Sequence, residues 1–173
     1  MPTVKFVATH SKGDGMPESV QETVRTHLNH GRACLDQGKY DDAIADYDKV
    51  IALNPNIATA YNNRGLAYGR KGAFDRAIAD YTKAIALDPN DALAYANRGV
   101  AYRKKGEVDR AIADYDKAIK LNPEDAAAYF NRALAHESKG EVDRAIADFR
   151  KVLEIDPSDQ DAKEGLKHLG VTP

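Results

Sequence analysis

The sequence predicts an all-α solenoid of stacked helix pairs, and three observations carry that prediction. Gly38, Gly72, Gly106 and Gly140 recur every 34 residues, as do Pro55, Pro89, Pro123 and Pro157. Each interval holds two stretches with apolar residues at helical spacing, separated by the Gly and closed by the Pro. The phrase AIADY, or AIADF in the last copy, returns in every interval. A fixed period of this size marks supersecondary units that stack because none buries its apolar face alone. The copies run 24–57, 58–91, 92–125 and 126–159, within a helical block spanning 16–159.

The second copy justifies the elements in order. ATAYNNRGLAYGRKG places Ala60, Tyr61, Gly65, Ala67 and Tyr68 along one stripe, where the small residues permit close helix approach. Gly72 ends this helix, as a residue free to adopt the left-handed conformation. Asp75 opens the second helix, its carboxylate favoured by the positive end of the helix dipole. Ala77, Ile78, Tyr81, Ala84, Ile85 and Leu87 follow at i, i+3, i+4 and i+7 spacing. Pro89 stops the helix and Asp91 caps the next one, a pairing repeated at Pro123–Asp125 and Pro157–Asp159. At the first junction Ile57 takes the capping place, which leaves Asn56 as the expected cap.

The ends differ from the interior. Copy one carries His27, His30 and Cys34 where later copies have Tyr, Arg and usually Tyr. Val20 and Val24 extend its apolar stripe, so its first helix is expected to begin near Pro17 or Glu18, with Pro at a first helical position. Residues 160–170 carry Ala162, Leu166 and Leu169 on one face, the pattern of a helix that shields the last repeat, and 171–173 form a tail. Residues 1–15 match no repeat and read as a flexible arm. Their segment TVKFVAT favours extended structure, so the arm is also a candidate occupant of a groove in this chain or a neighbouring copy.

Composition excludes several classes of function. Twenty-five basic and 27 acidic residues are interspersed for a net charge of −2, which lacks the basic footprint of a nucleic-acid binder. No stretch reaches the roughly 18 apolar residues of a membrane span. The N-terminus has no apolar secretory core, which makes the cytoplasm the expected location. The single cysteine, Cys34, excludes an intramolecular disulfide and reads as a small buried thiol. His27 and His30 stand i, i+3 on one helix, but no third metal ligand is evident beside them, so neither metal nor cofactor is expected. Each Gly stands at a helix turn without the strand–loop–helix setting of a phosphate loop, and no catalytic set emerges. The chain reads as a non-enzyme.

The second and third copies supply Tyr61, Gly65, Tyr68, Ala77, Tyr81, Ala84 and Pro89, then Tyr95, Gly99, Tyr102, Ala111, Tyr115, Ala118 and Pro123. These residues in this frame resemble the tetratricopeptide repeat family, over 24–159. The usual Leu before the first Gly is Arg64 or Arg98 here. The resemblance implies a right-handed superhelix whose first helices line a concave groove, with repeat positions 2, 5, 6, 9, 12 and 13 facing it. Position 6 then reads Asn29, Asn63, Asn97 and Asn131, an amide ladder similar to one known in family members that bind extended peptides. Each amide offers a donor and an acceptor, which suits a peptide backbone. With helices about 10 Å apart, four rungs span roughly nine extended residues at about 3.3 Å each.

Asn62, Ala96 and Phe130 fall at position 5, and Leu66, Val100 and Leu134 at position 9. Arg70, Arg103 and Lys104 make the middle of the groove positive, so an extended ligand with apolar side chains and an acid or two is expected. Chaperone-binding members grip a terminal carboxylate with two basic side chains in the third groove helix. Leu93 and Asn97 stand there in this chain, which argues against that clamp. Arg64, Arg98 and Arg132 share the period of Asp46, Asp80, Asp114 and Asp148, and read as Arg–carboxylate pairs tying helices together. The expected function is a protein-interaction scaffold that receives an extended peptide. Weak self-association, end to end or through the arm, is the alternative, which sedimentation over a hundredfold concentration range distinguishes.

Overall fold

The computed structural model describes residues 16–172. The arm at 1–15 lies outside the described residues, and with it the expectation that it occupies a groove. Helices pair as the repeat demands: α1 (Glu18–Asp36) with α2 (Tyr40–Leu53), α3 (Ala58–Arg70) with α4 (Phe74–Leu87), α5 (Ala92–Lys104) with α6 (Val108–Leu121), and α7 (Ala126–Ser138) with α8 (Val142–Ile155). A ninth helix, α9 (Gln160–His168), packs on α8. No strand occurs among the described residues. The result is an all-α, right-handed superhelical solenoid.

Local chemistry sets the helix ends. Gly72 adopts φ 76°, which lets its N–H reach the Gly69 carbonyl at 3.0 Å while the Ala73 N–H bonds Tyr68 at 2.9 Å. This is the Schellman arrangement, and it satisfies carbonyls that a helix end would otherwise leave bare. Side-chain caps form at three junctions: Asp91, Asp125 and Asp159 accept from the N–H groups of Ala94, Ala128 and Ala162 at 3.0, 3.1 and 2.8 Å. Asn56 makes no such cap. Ile57 is the N-cap residue of α3, and the Asn56 N–H instead donates to Asn54 within the turn. At the chain start Pro17 is the residue before α1, one place earlier than a first helical position. Replacing Asp125 by Ala should cost about 1 kcal/mol. Urea unfolding is expected to show that loss, whereas Asn56→Ala should leave the midpoint nearly unchanged.

The interior is a chain of small clusters and has no single centre. Tyr47, Tyr81, Tyr115 and Phe149, equivalent in the repeat, are buried between the two helices of their own unit. Ala43, Ala77, Ala111 and Ala145 are fully buried beside them. Alanines there let the helices of a pair approach closely, so the aromatic ring fills the remaining space. At the C-terminal end Ala162 and Leu166 of α9 bury against Phe149 and Val152, which shields the last repeat from water.

Candidate functional site

Consecutive first helices touch directly, α1 with α3, α3 with α5 and α5 with α7, which puts them on the inner side of the curve. Two clefts lie along this inner face. One, of about 640 Å³, is lined by Arg32, Tyr40, Asn63, Leu66, Arg70 and Leu93 among others. The other, of about 420 Å³, is lined by Leu66, Arg70, Phe74, Asn97, Val100 and Lys104 among others. Leu66 and Arg70 belong to both, so the clefts join into one trough across repeats one to three. Leu93 is 58% exposed at its edge, a large apolar side chain left to solvent.

The ladder amides differ in what they already bond. Asn29 is exposed, and Asn63 is half-buried in the first cleft. Asn97 donates through Nδ2 to Oδ1 of Asn62 at 3.2 Å, across from α5 to α3. Asn131 donates to the Ala127 carbonyl of its own helix at 2.8 Å and accepts from Arg103 Nη2 at 3.5 Å. Asn62, expected on the groove surface, is instead buried, and it serves as the acceptor that aims Asn97. Phe130 meets Phe149 edge-on with ring centroids 5.6 Å apart, and Leu134 packs on the same cluster, so both are half-buried supports of the last repeat. Arg70 and Lys104 are exposed, and with half-buried Arg103 they keep the middle of the inner face positive. Among the described residues, the buried Nε of Arg103 and hydroxyl of Tyr115 have no hydrogen bond of good geometry. Burial pushes the Tyr115 hydroxyl up to about 12, so it stays protonated and neutral.

The recurring arginines are held in place by the fold. Arg64, Arg98 and Arg132 each donate through Nε and Nη2 to both oxygens of Asp80, Asp114 and Asp148, at 2.7–2.8 Å. The remaining Nη1 reaches the preceding repeat: Asp48 at 2.5 Å, Thr82 at 3.0 Å and Asp116 at 2.6 Å. Each guanidinium also lies 5.5–5.7 Å from the ring of the Tyr three residues earlier. One side chain thus ties both helices of its unit to the unit before it. The Asp80 hydrogen bonds raise the basicity of Arg64, and Asp148 does the same for Arg132, so both guanidiniums stay charged throughout the accessible pH range.

The first repeat breaks this pattern. His27 and His30 do not stand apart from other ligating groups, as the sequence alone suggests. His27 Nδ1 lies 2.8 Å from Asp46 Oδ1, His30 Nδ1 contacts Asp46 Oδ2, and Cys34 Sγ lies 3.8 Å from His30 Nδ1. Burial pushes the Asp46 carboxyl up, but the His30 and His27 hydrogen bonds outweigh it and hold the group below its ordinary value. A depressed carboxyl contributes stability above its unfolded pKa and loses it as acid protonates it, so this contact weakens below about pH 4. Equating position 30 with the arginine positions would have pointed to Asp46 from the sequence.

A family profile described as Tetratricopeptide repeat matches residues 93–160, another of that description matches 58–91, and one described as TPR repeat matches 31–72. Among solved structures, one described as MamA is 36% identical, with 78% of each chain covered and a TM-score of 0.73. The second TPR domain of the human RPAP3 protein, in complex with HSP70 peptide SGPTIEEVD, is 33% identical at a TM-score of 0.63. That match covers 65% of this chain and 94% of the domain. The first TPR of Spaghetti (RPAP3), bound to HSP90 peptide SRMEEVD, is 29% identical, covering 65% of this chain and 90% of its own, at a TM-score of 0.64. No curated protein matched the sequence. Among the described residues no helix is long and apolar enough to cross a membrane.

Proposed function

The chain belongs to the tetratricopeptide repeat family of interaction scaffolds, and from that premise we propose that it receives an extended peptide along its inner face. Asn29, Asn63, Asn97 and Asn131 contact the peptide backbone in this reading. The observation that carries it is the trough shared by Leu66 and Arg70, with Asn63 on one side of that pair and Asn97 on the other. Amides at this spacing bond a backbone whatever its side chains, while Leu66, Val100 and Leu93 offer apolar surface. Arg70 and Lys104 favour a ligand with an acid near its middle. The acidic peptides bound by the two RPAP3 domains support that charge preference. Leu93 and Asn97, at the clamp positions, favour an internal segment over a terminal carboxylate.

Peptides of roughly nine residues, selected on the purified chain and located by NMR shift perturbation, provide the ligand for a test. Replacing Asn63 and Asn97 together by Ala should cost on the order of 1 kcal/mol per lost backbone contact, about fivefold in Kd for each. Circular dichroism should change little. Unaltered affinity for a peptide that occupies the trough would reject the ladder as a binding device.

A further inference from the structure

Three side chains set the first repeat apart, and all three point at one carboxylate. His27, His30 and Cys34 occupy the places of Tyr61, Arg64 and Tyr68 in the next copy. Where Asp80, Asp114 and Asp148 each receive a bidentate arginine, Asp46 faces two imidazoles, with Lys49 Nζ at 3.6 Å. An imidazole is not obligately charged as a guanidinium is. Asp46 is only 5% exposed, so it is a buried anion whose usual fixed cation has been exchanged for metal-ligating groups.

We infer that the first repeat binds a divalent transition-metal ion of the zinc class through His30, Cys34 and Asp46. One ligand atom from each lies within 4.8 Å of the others. His30 and Cys34 stand i, i+4 on α1, so both project from one face, and Asp46 meets them from α2. The His30 ring nitrogens lie 3.8 and 3.9 Å from Cys34 Sγ. Bond lengths to zinc of about 2.0 Å for nitrogen and 2.3 Å for sulfur give a tetrahedral edge of about 3.5 Å, close to that separation. The shorter His30–Asp46 contact lengthens on metal entry by rotation of the His30 side chain, which is 64% exposed and free to turn. A donor set of one nitrogen, one thiolate and one carboxylate suits zinc and cobalt, and is a poor match for magnesium or calcium.

The neighbours complete the chemistry. His27 bonds the other Asp46 oxygen and orients the carboxylate, the positioning role that outer-shell histidines and carboxylates play at metal centres. Cys34 is 4% exposed, which protects its sulfur. Its thiol proton leaves to solvent as the metal–sulfur bond forms, so affinity falls as pH is lowered. With three protein ligands, a water would complete a four-coordinate site. Because the ligands come from both helices of the unit, the ion replaces the staple that arginine provides in the other three repeats.

Cobalt(II) titrated into the full, tag-free chain under reducing conditions tests the proposal, with zinc chloride as competitor. One equivalent should give a thiolate-to-metal charge-transfer band and the visible bands of tetrahedral cobalt, both abolished by zinc. Zinc should also raise the melting temperature. His30→Arg installs the staple of the later repeats, so it should fold normally, and both it and Cys34→Ser should weaken zinc binding at least tenfold. His27→Asn should weaken it by about 10- to 100-fold, as expected of an outer-shell group. The proposal is overturned if the charge-transfer band is missing, if it survives Cys34→Ser, or if His30→Arg binds zinc as tightly as the parent.

Discussion

Arg98→Met is expected to destabilise the protein by about 3–5 kcal/mol. The side chain of Arg98 is mostly buried, and its guanidinium is bidentate to Asp114, itself almost wholly buried. Met keeps the apolar stem but leaves Asp114 as an unpaired anion out of water. The comparison with Arg64 decides which contact matters. Arg64 has a second carboxylate, Asp48, whose side chain is 52% exposed. Asp48 returns to water when its partner is lost, so Arg64→Met should cost about as much as Arg98→Met despite the extra ion pair. Replacing both members, Arg98→Met with Asp114→Leu, should restore most of the stability, because no buried charge remains. Urea midpoints test the series, and hydrogen exchange should place the loss in α5 and α6, since each unit contacts mainly its neighbours. A double variant as weak as the single one would show that the pair itself, and not the orphaned anion, dominates.

The repeat frame made the architecture legible. Period, Gly and Pro fix where helices stop, and the aspartates two residues after Pro89, Pro123 and Pro157 cap the next helix as expected. The Arg–Asp pairs were also readable, because two opposite charges with one period must meet at the same place in every unit. Burial at the inner face was not. Asn62 and Phe130 share a repeat position, yet one is buried beneath the amide of Asn97 and the other rests on Phe149. Helical spacing assigns a face, whereas the size of the residue opposite decides how far that face is covered. The first repeat hid its cluster for a related reason. His27, His30 and Cys34 look like unconnected end-unit differences until Asp46, 16 residues beyond His30, is seen against them.

Gly99→Ala sets two physical effects of opposite sign against each other, and packing should prevail. Ala is the better helix former by about 1 kcal/mol, so an exposed Gly in α5 would be improved by the change. A methyl built on Gly99, however, falls 2.7 Å from Cε1 and 2.9 Å from Cδ1 of Tyr115. That ring is fully buried and cannot swing into solvent. Overpacking of this kind costs typically 1–3 kcal/mol, which makes a net loss of about 1–2 kcal/mol the expected result. Gly65 meets Tyr81 in the same way, at 2.9 Å, and should respond alike. The fourth repeat shows how the conflict is resolved: it has Ala133 at this position and Phe149 opposite, packed in one cluster. Phe lacks the hydroxyl, which in Tyr115 is buried without a well-formed hydrogen bond among the described residues. Gly99→Ala combined with Tyr115→Phe should therefore recover part of the loss, because the ring gains room to shift along the helix pair. Thermal and urea unfolding of the three variants give the answer, and a rise in stability for Gly99→Ala alone would overturn the packing argument. The consequence reaches the inner face as well. Asn97 lies two residues before Gly99 on α5, so a methyl that pushes α5 away from α6 also moves a ladder amide relative to Asn62. The Gly99→Ala variant should then bind a trough peptide more weakly than the double variant does.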